Sequence, residues 1–84
     1  MAVAAKTMTE SEDTKTFFSR GIEETMDALY GTALRLTRTG ADAEDLVAET
    51  VSKAWSAIDT LQDRQRFRPW IFRILHNCFI SNYR

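Results

Sequence analysis

Apolar residues recur at three- and four-residue intervals along most of this 84-residue chain. That spacing is the period of an α-helix with one buried side. The chain has three glycines and one proline, which are too few for the turns of a β-sandwich. The sequence therefore predicts an all-α fold, and the chain length limits that fold to one small helical bundle.

The first predicted helix runs from about Thr14 to Arg38, where the apolar stripe is continuous. Glycine lowers helix stability by up to about 1 kcal/mol relative to alanine, so a break near Gly21 would divide this helix in two. We interpret Gly40 as the residue that ends it. Residues 1–13 are small, polar and acidic without a period, and we predict a flexible N-terminal tail there.

The second predicted helix covers residues 42–59, with Asp42 as its N-cap. Its predicted buried side consists of Val47, Val51, Ala54, Trp55 and Ile58. Residues 59–67 show no period and form a loop that is long for so small a bundle.

Pro69 stands in the first turn of the last predicted helix, where a missing N–H costs nothing. The predicted buried side of that helix consists of Ile71, Ile74, Leu75, Cys78 and Phe79. The sequence thus predicts a bundle of three main helices, or four if the first divides, with a long loop before the last helix.

The net charge of −1 conceals an uneven distribution of charged residues. Residues 1–63 carry six Lys/Arg and twelve Asp/Glu, whereas residues 64–84 carry five arginines and no acidic residue. This asymmetry indicates two surfaces with two partners, the basic one suited to phosphate. Two ordinary solvated faces are the alternative that the charge pattern alone leaves open.

Catalytic and metal-site chemistry finds little support in the sequence. Asp45 and Glu49 share a helix face, but general acid–base catalysis needs a concave, partly desolvated site. His76 and Cys78 diverge on a helix, and a zinc site would need two more ligands. We interpret Cys78 as a core residue and His76 as a surface or boundary residue. The sequence predicts no enzyme, no metal site and no cofactor.

The compartment follows from the cysteine content and from hydropathy. One cysteine offers no disulfide framework and is typical of a reducing cytosol. The N-terminus lacks the apolar run of a signal peptide, and no apolar stretch approaches the roughly 20 residues of a membrane span. We therefore expect a soluble cytoplasmic protein without membrane insertion.

The basic end of the chain, residues 64–84, combines positive charge, aromatic rings and an amide side chain. Single-stranded nucleic acid is bound by this combination, because arginines follow the backbone while exposed rings stack on bases. The alternative is that Phe67 and Trp70 are core residues that close the loop over the bundle. The acidic residues Asp45 and Glu49 are either a solvated face or a docking face for a basic partner.

Two segments resemble a known family: "ALRLTRTGADAEDLVAETVSKAWSAID" and, after an arginine-rich loop, "FRPWIFRILHNCFISNYR". They are similar to region 2, the promoter-melting domain, of bacterial ECF (extracytoplasmic function) sigma factors, over about residues 17–84. The resemblance implies a non-enzymatic transcription initiation factor, associated with the nucleoid when bound to polymerase. Its implied partners are core RNA polymerase, the promoter −10 element and an anti-sigma factor. Family members continue into a −35-reading domain, so we interpret residues 14–84 as an isolated region 2 domain.

The resemblance also implies two sets of site residues. The polymerase set would dock on the clamp helices of the largest subunit and consists of Asp45, Leu46, Glu49, Ser52 and Lys53. Ala48 replaces the glutamine usual in the family, which removes one possible hydrogen bond. The DNA set would capture the non-template strand, with one flipped base in a loop pocket. It consists of Leu61, Gln62, Asp63, Arg64, Gln65, Arg66, Phe67, Arg68, Trp70, Arg73, His76 and Asn77.

Two other functions compete with this one. A duplex-binding helix-turn-helix regulator over residues 25–58 would place the acidic second helix in a phosphate-lined groove, where the opposite charge is needed. A protein-interaction module without DNA affinity is the other alternative.

Overall fold

Three α-helices and a connecting loop make up the computed structural model, which describes the backbone of residues 2–83 and the side chains of residues 14–82. The helices are α1 (Ala2–Thr37), α2 (Gly40–Ser56) and α3 (Phe67–Tyr83). The connecting loop, residues 57–66, contains two short 3-10 turns, Ile58–Thr60 and Arg64–Arg66. Within residues 2–83 no strand occurs, and the predicted all-α bundle is confirmed.

Helix α1 begins earlier than the apolar stripe indicated and does not divide. The backbone of residues 2–13 continues the helix. The flexible tail predicted at residues 1–13 stays a prediction, because the side chains of that segment lie outside the described residues. The break considered at Gly21 does not occur. Gly21 instead permits a close approach, since a Cβ there would lie 2.8 Å from Cε2 of Phe67.

The α1–α2 connection corrects two predictions about helix ends. Arg38, with a left-handed φ of 71°, ends α1, and its N–H donates to the carbonyl of Leu34 at 2.7 Å. Gly40 begins α2 and does not end α1. The N-cap of α2 is Thr39 and not Asp42, because the Thr39 hydroxyl oxygen accepts from the Asp42 N–H at 3.2 Å.

Replacing Arg38 by glycine should stabilise the protein. A left-handed residue with a Cβ costs about 1–2 kcal/mol, and glycine loses about 0.5–1 kcal/mol more backbone entropy on folding. Arg38→Gly should therefore raise the free energy of unfolding by about 0.5–1 kcal/mol, measured by urea denaturation. Arg20→Gly, the same change at an exposed position within α1, should lower it by about 1 kcal/mol. Equal destabilisation by both variants would contradict the prediction.

One core lies between the three helices. Its largest fully buried side chains are Leu29, Leu46, Ile71, Leu75, Thr50 and Cys78. The buried Thr50 hydroxyl donates to the Leu46 carbonyl at 2.7 Å, so this polar group is satisfied inside the helix. Burial raises the pKa of the Cys78 thiol, which agrees with its interpretation as a core residue.

The buried side was predicted more accurately for α3 than for α2. Ile71, Leu75 and Cys78 of α3 are buried, and Ile74 and Phe79 are half-buried. On α2 the buried residues are Ala43, Leu46, Val47, Thr50 and Ala54. The prediction for Trp55 is wrong, because its side chain is 41% exposed. It lies about 100° around the helix from Ala54, at the edge of the core.

Two features are absent from the part of the chain that the structure describes. Among the described residues, no helix has both the length and the apolar character needed to cross a membrane. No group of three or more His, Cys, Asp or Glu side chains in that part of the chain is placed to hold a metal ion.

Candidate nucleic-acid interface

The connecting loop and the first turns of α3 enclose a groove of about 470 Å³. Its walls present an indole, two guanidinium groups, a carboxylate and an amide. The lining residues are Thr60, Leu61, Gln62, Asp63, Arg66, Pro69, Trp70 and Arg73. The groove therefore brings together six of the residues assigned to DNA by resemblance, together with Thr60 and Pro69, which were not assigned.

Trp70 is half-buried and is held at the wall of this groove. Its ring lies against Phe67, with ring centroids 5.7 Å apart. Its indole N–H donates to the Thr60 hydroxyl oxygen at 3.2 Å, and that hydroxyl donates to the Ala57 carbonyl at 2.7 Å. The indole is thus oriented by the connecting loop, which also lines the groove. Thr60 was missed because its sole sequence signal is its place directly before Leu61.

Phe67 belongs to the core. It is 6% exposed and packs against Phe17 and Phe18 of α1 as well as Trp70. This agrees with the alternative interpretation of Phe67 as a residue that closes the bundle. A ring so enclosed does not offer a face to a base, so Phe67 is not part of the candidate contact surface.

The loop carries its own hydrogen-bonded turn. The Asp63 carboxylate accepts from the Gln65 N–H at 3.0 Å, and the Asp63 carbonyl accepts from the Arg66 N–H at 2.9 Å. Asp63 therefore shapes the turn Arg64–Arg66 from its N-cap position. Gln62 and Gln65 are exposed, while Leu61 is half-buried.

The four described arginines of the basic end occupy different places. Arg66 and Arg73 are exposed and line the groove. Arg68 is exposed outside it, with its guanidinium carbon 5.5 Å from the ring centroid of Phe72. Arg64 faces α1 instead. Two of the four guanidinium groups therefore line the groove together with the indole, and the sequence alone did not distinguish them from the other two.

His76 and Asn77 lie further along α3 and do not line this groove. Both are exposed. His76 Nδ1 is within hydrogen-bond distance of the Phe72 carbonyl, at 2.9 Å. Asn77 lines a second, smaller groove of about 230 Å³ between α2 and α3, where Lys53 and Ser81 also lie.

Of the five residues assigned to polymerase, all but Leu46 contribute to a surface on α2 that contains two carboxylates. Asp45, Ser52 and Lys53 are exposed, and Glu49 is half-buried. Leu46 is 1% exposed, so it packs in the core and its side chain does not reach this surface. The candidate docking face therefore consists of Asp45, Glu49, Ser52 and Lys53.

Glu49 is held by groups from two helices. One carboxylate oxygen accepts from the Asn82 side-chain amide of α3 at 2.6 Å, and the other lies 3.4 Å from the Lys53 ammonium. The Asn82 hydrogen bond lowers the pKa of Glu49 below its ordinary value, with a further contribution from Lys53. Asn82 was missed, because a lone asparagine near a helix end carries no sequence signal for such a contact.

Residues 22–84 match the model of sigma-70 region 2, and the chain belongs to this family of bacterial transcription initiation factor domains. Three of its relatives are named as ECF sigma factors. The chain is 38% identical over 63 residues to the ECF RNA polymerase sigma factor SigL of Mycobacterium tuberculosis, covering 74% of this chain and 36% of SigL. It is 39% identical over 57 residues to EcfG of Rhodopseudomonas palustris, covering 68% and 32%.

A third relative, SigM of Bacillus subtilis, is 34% identical over 59 residues, covering 70% of this chain and 36% of SigM. The chain thus spans about a third of the length of these curated relatives. The predicted family is confirmed. Membership in it agrees with the absence of a predicted catalytic site, since sigma factors are initiation factors and not enzymes.

Proposed function

We propose that this chain docks on core RNA polymerase through the acidic face of α2 and captures the non-template strand of a promoter −10 element in the groove beside Trp70. The observation that carries this proposal is the half-buried indole, oriented by Thr60 and flanked by the guanidinium groups of Arg66 and Arg73. Aromatic faces stack on unpaired bases while arginines neutralise the backbone. The relatives named above are RNA polymerase sigma factors, which supports the same assignment.

The groove suits one base taken out of the stack. Its volume of about 470 Å³ lies within the range of about 300–1,000 Å³ that is typical of small-molecule sites. Flipping a base costs a few kcal/mol, which stacking and hydrogen bonds in a pocket offset. Gln62 can supply donors and acceptors to the base edge, while Arg66 and Arg73 neutralise phosphate.

The two surfaces lie toward opposite ends of α3. Trp70 is near its start, and Asn82, which holds Glu49 of the acidic face, is near its end. At 1.5 Å per residue, these positions are about 18 Å apart along the helix. A protein partner on the acidic face and a DNA strand in the groove could therefore bind at once. An anti-sigma factor, as the resemblance implies, would cover one or both of these surfaces.

The structure disfavours the helix-turn-helix alternative. Glu44 and Asp45 are exposed on α2, where a recognition helix would approach phosphates and needs positive charge. A protein-interaction module without DNA affinity leaves the oriented indole and its guanidinium neighbours without a role.

The proposal is tested by mixing core RNA polymerase with the chain. We expect co-purification with the core enzyme, and permanganate reactivity of thymines in the melted −10 region of a cognate promoter. Co-purification without permanganate-reactive thymines would favour the interaction module. Retention of duplex DNA without polymerase would favour the helix-turn-helix regulator.

Glu49→Arg should weaken capture by core polymerase at least about tenfold, because it places a positive charge opposite the basic partner that an acidic docking face would bind. The helical circular-dichroism signal should remain. Affinity is measured by surface-immobilised core polymerase at physiological salt. Glu23→Arg, the same charge reversal at an exposed position of α1, serves as the matched control.

A second variant separates contact from support at this position. Asn82→Ala removes the hydrogen bond to Glu49 and keeps the carboxylate, so it should leave polymerase affinity within about twofold. If Asn82→Ala reproduced the full loss, Glu49 would act by holding α3 and not by touching polymerase.

A further inference from the structure

Arg64, although exposed, is directed at α1 from the connecting loop. Its guanidinium carbon lies 4.7 Å from the ring centroid of Phe17. Its Nη2 donates to the Thr14 hydroxyl oxygen at 3.3 Å, a contact between residues 50 positions apart. A guanidinium that stacks on an aromatic face and donates to a hydroxyl oxygen is a recognised anchoring arrangement.

Phe17 connects this anchor to the groove through aromatic contacts. Its ring meets Phe67 edge to face, with centroids 5.5 Å apart at 86°. The ring centroids of Phe67 and Trp70 are 5.7 Å apart. The Trp70 N–H in turn donates to the Thr60 hydroxyl oxygen in the loop. The connecting loop is therefore tied at both ends, by Thr60 to α3 and by Arg64 to α1.

We propose that Arg64 is a positioning residue, which fastens the connecting loop to α1 and so sets the width of the groove beside Trp70. This inference rests on the proposed DNA-capture function and assigns Arg64 a place outside the DNA contact set. Arg66, two residues further along the loop, has a different role, because it lines the groove itself.

Thr14 and Phe17 also extend the functional unit beyond the family match, which begins at residue 22. These two residues of α1 supply the contacts that hold Arg64 of the loop. Variation in this segment would change groove geometry without changing any residue that faces DNA.

The first test measures binding of a fluorescein-labelled, mixed-sequence single-stranded DNA of about 12 nucleotides by fluorescence anisotropy at several salt concentrations. Arg64→Ala and Arg64→Lys should each weaken binding by about two- to fivefold, since lysine does not reproduce the guanidinium stack. The slope of log affinity against log salt should stay unchanged. Arg66→Ala, the matched control, should reduce that slope by about 0.7 as one phosphate contact is lost.

The second test examines the partner across the contact. Phe17→Leu keeps an apolar side chain but removes the ring face under Arg64 and the edge contact with Phe67, so it should weaken DNA binding at least as much as Arg64→Ala does. The loss in the double variant should be smaller than the sum of the two single losses, because the Arg64–Phe17 contact is lost only once. Affinity for core polymerase should be unchanged in all three, which separates loop positioning from a general loss of folded protein.

Hydrogen exchange of the chain without DNA gives an independent measure. The Leu61, Gln65 and Arg66 amides are hydrogen-bonded within the loop, and they should exchange faster in Arg64→Lys and Phe17→Leu. A reduced salt slope in Arg64→Ala, with affinity restored by lysine and exchange unchanged, would overturn the inference and leave the proposed function standing. Failure of the unmodified chain to bind single-stranded DNA would overturn the proposed function together with the groove-setting role.

Discussion

Trp70→Ala is expected to reduce promoter opening by about 10- to 100-fold while core polymerase affinity stays within about twofold. Base–aromatic stacking contributes about 1–3 kcal/mol per base, and the indole forms one wall of the groove. The polymerase surface is on α2, so the substitution should leave it intact. Opening is measured as permanganate reactivity at a cognate promoter, and polymerase affinity by binding of the same variant to the core enzyme.

Trp55→Ala is the matched control for that variant. Trp55 is 41% exposed on α2 and contacts Phe18, with ring centroids 5.1 Å apart. It does not line the groove, so its removal should leave promoter opening within about twofold. Equal loss of opening in both tryptophan variants, or equal loss of opening and polymerase binding in Trp70→Ala, would contradict the groove as the capture site.

Thr60→Val separates stacking from orientation. Valine has a similar shape but lacks the hydroxyl that accepts from the Trp70 N–H. The ring would remain in the groove with fewer constraints on its angle. An intermediate loss of opening, between the unmodified chain and Trp70→Ala, would show that indole orientation contributes beyond indole presence.

Local periodicity was sufficient to predict the helices but not their ends. The apolar stripes of α1 and α3 place Leu29, Ile71 and Leu75 in the core because burial repeats with the helical period. Gly40 and Asp42 were each assigned a role by residue preference. The structure uses Arg38 and Thr39 instead, because the position of the turn decides which residue meets the free backbone groups.

The candidate site was predictable only where residue type and motif carry the signal. Residue types and family motif indicated Trp70, Arg66 and Arg73, since those types suit unpaired nucleic acid. The roles of Thr60, Arg64 and Asn82 depend on contacts between segments distant in sequence. Such contacts leave no periodic signal, and Arg64 differs from Arg66 only through what each faces in the folded chain.

Gly21→Ala is expected to destabilise the protein, although alanine is the better helix former. A Cβ at this position would lie 2.8, 2.9 and 3.1 Å from three carbons of the Phe67 ring. That ring is 6% exposed and enclosed by Phe17, Phe18 and Trp70, so it has little room to move. Overpacking of this kind costs about 1–3 kcal/mol, against a propensity gain of about 1 kcal/mol.

Gly31→Ala isolates the packing term, because a Cβ there meets no atom within 4 Å. It should raise the free energy of unfolding by about 1 kcal/mol, so the two variants should differ by about 1–3 kcal/mol in urea denaturation. If the two substitutions changed the free energy of unfolding equally, the inference of close packing at Gly21 would be wrong. Since Phe67 supports Trp70, Gly21→Ala should also weaken single-stranded DNA binding, whereas Gly31→Ala should not. A stability loss at Gly21 without a binding loss would mean that Phe67 can yield without moving the indole.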